Sequence, residues 1–200
     1  MSIAWRQMRA RKRPARELPF PAAPHLRMAQ LGETATFDGV SAFPPARRNE
    51  LKAFAPQVLV ASAGALVTAA HAVFSGDLAL ESVDTAVFAL TQVGGTPVAP
   101  PERDVIWRAF QVPLYELYVD SEWNLLGAEC EAHDGWHLRS LDATFYLEGG
   151  ELFLRQPARA APIRTGLTAS CIDSLCACGD AAPLVRVIAA HFRSLAASAS

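Results

Sequence analysis

Two hundred residues, 51% apolar and 19% charged, suit a globular chain with a sizeable core. A net charge of −2 speaks against nucleic acid as the main partner. No apolar run approaches the ~20 residues that span a bilayer. The nearest, 58–74, is interrupted by Ser62, Gly64, Thr68 and His71, so no membrane role is expected.

The chain opens with Arg6, Arg9, Arg11, Lys12, Arg13 and Arg16, with no acid before Glu17. Pro19, Pro21 and Pro24 follow where a secretory leader would place an apolar segment. Residues 1–30 therefore read as a basic, Pro-rich, flexible tail, and 31–200 as one domain. Residues 25–50 are weakly patterned, with turns at Gly32, Gly39, Pro44 and Pro45 and a short helix over Arg47 to Phe54.

Regular structure is expected from Phe54. Gln57 to Ala61 is a continuous apolar run suited to a strand buried on both faces. Ser62 can cap a helix over Ala63 to Phe74, which Gly76 can end. His71 falls within it as a core or boundary residue. Thr85 to Val93 predicts a second buried strand, and Gly94-Gly95-Thr96-Pro97 a tight turn. Pro100 and Pro101 open a helix whose inner face carries Val105, Ile106, Ala109 and Phe110. Val112 to Val119 is a third strand. This alternation predicts an α/β fold with a parallel sheet over about 54–122, with ligands beyond the carboxyl ends of its strands.

After Glu122 the pattern changes. Leu125 to Cys130, Leu141 to Leu147 and Glu151 to Arg155 read as antiparallel strands, the last two joined at Glu148-Gly149-Gly150. The expectation is a small antiparallel β segment over about 123–180, then an amphipathic helix from Leu184 to Leu195.

The cysteines lie in the second half. Cys130 shares one short stretch with His133 and His137; Cys171 precedes the Cys176-Ala177-Cys178 pair. Such spacing favours metal over a disulfide framework, and reduced thiols place the chain in the cytoplasm. A tetrahedral site of three thiolates and one imidazole suits structural zinc, whereas a catalytic zinc needs an open position. Glu129 and Glu131 flank Cys130 and point away from the thiol, tuning its surroundings or facing solvent. Neither a nucleophile elbow nor a metalloprotease helix is present.

From Phe54 to Pro183 the motif order resembles the adenylate-forming enzymes, in particular the phenylacetate–coenzyme A ligase branch. Phe54 to Ala61 looks like the family strand that reaches the acyl pocket. Gly94-Gly95-Thr96-Pro97 stands at its Gly-rich turn facing adenine, and Tyr118-Val119-Asp120-Ser121-Glu122 at its Tyr-Gly-x-Thr-Glu. Ala128-Glu129-Cys130, Asp134-Gly135-Trp136-His137, Gly150-Glu151-Leu152, Ile163-Arg164-Thr165-Gly166 and Cys176-Ala177-Cys178-Gly179 are similar to further family segments.

The resemblance implies zinc on Cys130, His137, Cys176 and Cys178, with His133 and Cys171 in reserve. It implies a ligand on Gly94, Gly95, Thr96, Tyr118, Ser121 and Arg164. Glu122 stands at the family's magnesium-holding glutamate. The chain departs from the family too. Residues 1–53 contain no Ser/Thr/Gly-rich phosphate loop, Leu167 replaces the ribose-binding acid, and no lysine-bearing domain follows Gly179. ATP and magnesium are therefore not expected to be used. The expected function is a truncated, catalytically incomplete relative of aryl/acyl-CoA ligases. It would bind a small acyl or aromatic ligand, or meet a protein partner or second copy through open sheet edges. The alternatives are one half of a split acid–CoA ligase and a purely structural zinc module.

Overall fold

The structure, a computed structural model, describes residues 18, 25–32, 37–133, 135–139, 143–157 and 159–190. The basic run at 6–16 lies outside these. The sheet starts earlier than expected, with β1 (Met28–Leu31) and β2 (Val40–Phe43). A 3-10 turn at Pro45–Arg47 leads into α1 (Arg48–Phe54). Then come β3 (Val58–Ser62), α2 (Ala63–Phe74), β4 (Ala86–Gln92), α3 (Pro100–Phe110) and β5 (Leu114–Val119). The second half holds β6 (Leu125–Glu129), β7 (Trp136–Leu138), β8 (Thr144–Glu148), β9 (Glu151–Arg155), β10 (Ile163–Ile172) and β11 (Leu184–Ala190).

All eleven strands of the described residues form one sheet in the order β2-β1-β3-β4-β5-β6-β7-β11-β10-β9-β8. Neighbours from β2 to β5 pair in parallel. From the β5–β6 pair onward the strands run antiparallel. The antiparallel part therefore continues the parallel sheet and is not a separate appendage.

The parallel strands are buried on both faces, as their unbroken apolar runs require. Leu59, Ala61, Val87 and Ala89 face a core built with Leu66 of α2 and Ile106 and Phe110 of α3. Val58, Val60, Phe88 and Leu117 face the other side, against Leu18 and Phe37. Local chemistry sets the helices. The Ser62 hydroxyl accepts from the Ala65 amide, capping α2, and Gln111 in the left-handed region ends α3. His71 is exposed on α2, with its ring against Phe74 at 6.3 Å. In the β8–β9 hairpin Gly149 and Gly150 both take positive φ, 59° and 84°, as a two-residue turn demands. No helix among the described residues is long and apolar enough to cross a membrane.

The expected helix from Leu184 is instead β11, at least to Ala190; residues 191–195 lie outside the described part. Its sequence, Leu-Val-Arg-Val-Ile-Ala-Ala, is apolar and suits either state. Pairing decides, because β7 on one side and β10 on the other take up its backbone hydrogen bonds. Two β-branched valines and an isoleucine fit that pleated surface.

At the switch from parallel to antiparallel lies a buried ionic group that sequence reasoning missed. Glu116, in the middle of β5, is only 2% exposed, and Glu129 at the end of β6 is 7% exposed. One Arg103 nitrogen donates to both carboxylates, at 3.2 and 2.9 Å. Glu116 also accepts from the Thr91 hydroxyl and the Val98 amide, and Glu129 accepts from the Glu116 amide at 2.9 Å. Burial pushes the Glu116 carboxyl above its ordinary range, against the pull of Thr91, Val98 and Arg103.

Arg103→Met leaves two buried carboxylates facing each other. The expected loss is about 3 kcal/mol, read as a lower urea midpoint. Glu116→Gln keeps the shape and both neutral donors, and costs clearly less. Because the folded-state pKa of Glu116 is raised, its contribution to stability is most favourable below the ordinary carboxylate pKa. That contribution declines as pH rises through the raised value. Glu116→Gln removes this part of the slope, which urea titrations across pH 4 to 8 can check.

Candidate functional site

β6, β7 and the loop between β10 and β11 bring four donor atoms together. The Cys130, Cys176 and Cys178 sulfurs and a His137 ring nitrogen all lie within 4.8 Å of one another. These are the four residues the sequence singled out; His133 and Cys171 stay outside the group. Cys130 Sγ lies 3.4 Å from Cys176 Sγ, and Cys178 Sγ lies 3.3 Å from His137 Nε2.

Each donor has a structural reason for its place. Cys130 directly follows β6. His137 is the middle residue of β7, paired with Ala128 on one side and Leu184 on the other, and is fully buried. Its Nδ1 lies 3.2 Å from the Ala182 carbonyl oxygen, which can only accept. The proton therefore belongs on Nδ1, and the Nε2 lone pair faces the thiols. Cys176 and Cys178 sit on a tight knuckle, where Gly179 (φ 77°) turns its amide to the Cys176 carbonyl at 3.0 Å. The Asp180 amide points at Cys178 Sγ from 3.4 Å. Asp180 itself is held by an ion pair with Arg139 and by the Ala182 amide.

The two close thiols differ in acidity. Burial, reinforced by its sulfur neighbours, pushes Cys130 up to about 12. Burial also acts to raise Cys176. The Cys178 amide and the side chains of Cys178, Cys130 and His137 outweigh it and bring Cys176 down to about 7. Three sulfurs and one neutral imidazole, with backbone donors behind them, fit a tetrahedral metal such as zinc and leave no position open.

Glu129 and His133 link this cluster to the parallel half. Glu129 faces Arg103 and Glu116 rather than solvent, and His133 lies 3.5 Å from it while stacking on Tyr115.

A second feature is a cleft of about 620 Å³ beyond the carboxyl ends of β4 and β5. Gln92, Ser121, Glu122, Asn124, Gln156 and Arg159 line it. Ser121 and Glu122 thus stand where the sequence placed a ligand. Asp120 is occupied structurally, accepting from the Glu122 and Asn124 amides at 2.9 Å each. The other residues named from sequence are not among its lining. Gly94 and Gly95 form the turn after β4, with the Gly95 amide 2.7 Å from the Gln92 carbonyl, and Thr96 is exposed beside them. Tyr118 is fully buried and stacks on Trp136 at 4.9 Å. Burial raises its pKa against a pull from Thr165, whose hydroxyl falls short of good hydrogen-bond geometry with it. Arg164 pairs with Glu151 and lies over the Phe153 ring.

Gly135 controls how closely the strands beside the Cys/His group approach. A Cβ there would sit 2.3 Å from the Val185 carbonyl oxygen, backbone that cannot move cheaply. Gly135→Ala is expected to part β7 from β11 at Trp136–Val185 and draw His137 from the thiols. The expected readout is at least a tenfold weaker affinity for added Zn²⁺ or Co²⁺, with the parallel half still folded by circular dichroism.

No protein-family model matches the sequence, and no curated protein matches it. Solved structures do. A 2-hydroxyisobutyryl-CoA ligase, in an open conformation with 2-HIB-AMP and CoA, superposes with a TM-score of 0.60 at 13% identity. The match covers 81% of this chain and 44% of that one. The same ligase in its thioesterification state gives 0.59 at 13% identity, over 80% and 42% of the two chains. A coronafacic acid ligase from Pectobacterium brasiliense gives 0.51 at 12%, over 86% and 40%. The chain thus spans less than half the length of these ligases, and over that span it shares their fold.

Proposed function

We propose that this chain is a zinc-stapled relative of AMP-forming acyl-CoA ligases that binds a small acyl or aromatic ligand without completing ligation by itself. The observation that carries this reading is the shared fold with a cleft at the carboxyl ends of β4 and β5, the position at which open α/β sheets take ligands. Its motif order aligns it with the phenylacetate–coenzyme A ligase branch, and its free thiols suit the cytoplasm. Ser121 and Gln92 offer neutral hydrogen bonds in the cleft, and Arg159 a cation for a carboxylate or phosphate.

Zinc in this reading is a staple. Cys130, His137, Cys176 and Cys178 hold it, and it neutralises thiolates that the sheet forces together. One zinc per chain is expected by elemental analysis of the purified protein. Cys176→Ser with Cys178→Ser is expected to abolish it and to unfold the part after residue 120. Structural zinc contributes on the order of 10 kcal/mol to such folds. Thiolates bind metal and thiols do not, so affinity is expected to fall as pH drops, and more steeply below about 7, where Cys176 as well as Cys130 is protonated. A normally folded protein purified without metal would sink this assignment.

For the cleft, aryl acids and a non-hydrolysable acyl-adenylate analogue are expected to raise the melting temperature. Arg159→Ala should weaken that response about tenfold, as loss of one charge-assisted hydrogen bond does. Acid-dependent pyrophosphate exchange is expected to be absent in the isolated chain. Exchange that appears only with a second chain supplying a phosphate loop would favour one half of a split ligase. Among the described strands, β2 and β8 are the outer edges with which a partner or second copy would pair.

A further inference from the structure

The helical face of the sheet holds a second cavity that shares no residue with the cleft. It measures about 270 Å³ and lies between α1, α2 and the ends of β1 and β2. Its walls are apolar. Leu31, Phe43, Leu51, Ala69, Ala72 and Leu78 carry them, with Phe43 fixed by its contact with the Phe54 ring at 5.1 Å. Thr68 brings the one hydroxyl in the lining, and that hydroxyl already donates to the Gly64 carbonyl at 2.8 Å. The interior therefore offers a ligand almost nothing polar to bond.

The rim is different. Arg48 lines it, and among the described residues no carboxylate pairs with its guanidinium. Its neighbour Arg47 is taken by Glu50 at 3.6 Å. Lys52 follows Arg48 by one turn of α1, which puts a second exposed cation on the same side. Among the described residues, no acid lines the cavity. An apolar chamber with an unmatched positive charge at its mouth selects an occupant with an aliphatic tail and one negative head. Its volume, just under the ~300–1,000 Å³ of drug-sized pockets, limits the tail to medium length.

We infer that the chamber between α1 and α2 is a binding site for a medium-chain aliphatic monoanion, with its tail between Leu51, Ala72 and Leu78 and its head on Arg48. The carboxylate of a fatty acid and the head of an alkyl phosphate share this chemistry.

The test is a titration of the full chain with octanoate, octyl phosphate and octan-1-ol, followed through the methyl resonances of Leu31, Leu51 and Leu78. Octanoate or octyl phosphate is expected to saturate these shifts, and the better of the two names the head. Octan-1-ol is expected to bind at least tenfold more weakly. Arg48→Gln, at an exposed position, should remove that preference. Ala72→Leu, a good helix residue that fills the chamber, should abolish saturation while leaving the aryl-acid response of the cleft unchanged. The inference is overturned if octanol binds as tightly as both anions, if the anions bind Ala72→Leu as they bind wild type, or if neither anion saturates at millimolar concentration. The cleft response is read separately, so either site can fail without the other.

Discussion

Glu129 and Cys130 are consecutive residues, and each is bound into a different half of the molecule. The Glu129 carboxylate takes a hydrogen bond from Arg103 on α3 and another from the Glu116 amide on β5. The Cys130 sulfur reaches Cys176 on the knuckle before β11. A buried carboxylate without its cation is costly, and Cys130 and Cys176 are both buried. The end of β6 therefore holds the parallel and antiparallel halves in one register, and loosening either contact disturbs its neighbour. His133, stacked on Tyr115 and close to Glu129, adds a third tie across the junction.

Legibility in the sequence followed how locally each feature is determined. β3, α2, β4 and α3 carry their own signals in unbroken apolar runs, a serine cap and a Pro-Pro start, and the structure places them within a residue or two of expectation. β1 and β2 are four residues each and gain their identity from pairing, β1 with both β2 and β3. No local pattern marks such strands. β11 was misjudged because its composition suits two states and only its neighbours choose between them. Glu116 was a missed signal, since a lone acid inside the apolar run Leu114 to Val119 requires a buried partner. The gathering of Cys130, His137, Cys176 and Cys178 was legible because their close spacing within each pair survives in sequence. Tyr118 was not legible as a core residue, because alternation along β5 does not say which face meets Trp136.

Identity of 12 to 13% with the ligase structures means that few side chains are held in common. What is shared is the fold, over most of this chain. Folds carry sites and do not dictate chemistry. Here the cleft keeps Ser121 and Glu122 at its wall, while Tyr118 and Arg164 are committed to packing and pairing within the chain.

The position of β11 bears on how the chain reaches this state. It is last in sequence among the described strands, yet it lies between β7 and β10. Until it is added, those two strands have facing edges with unpaired amides and carbonyls. Assembly of the second half is therefore a late, nonlocal event, and non-local pairings of this kind slow folding. A nascent chain would expose that gap while the parallel half is already able to close. A chaperone that shields strand edges would shorten the exposure.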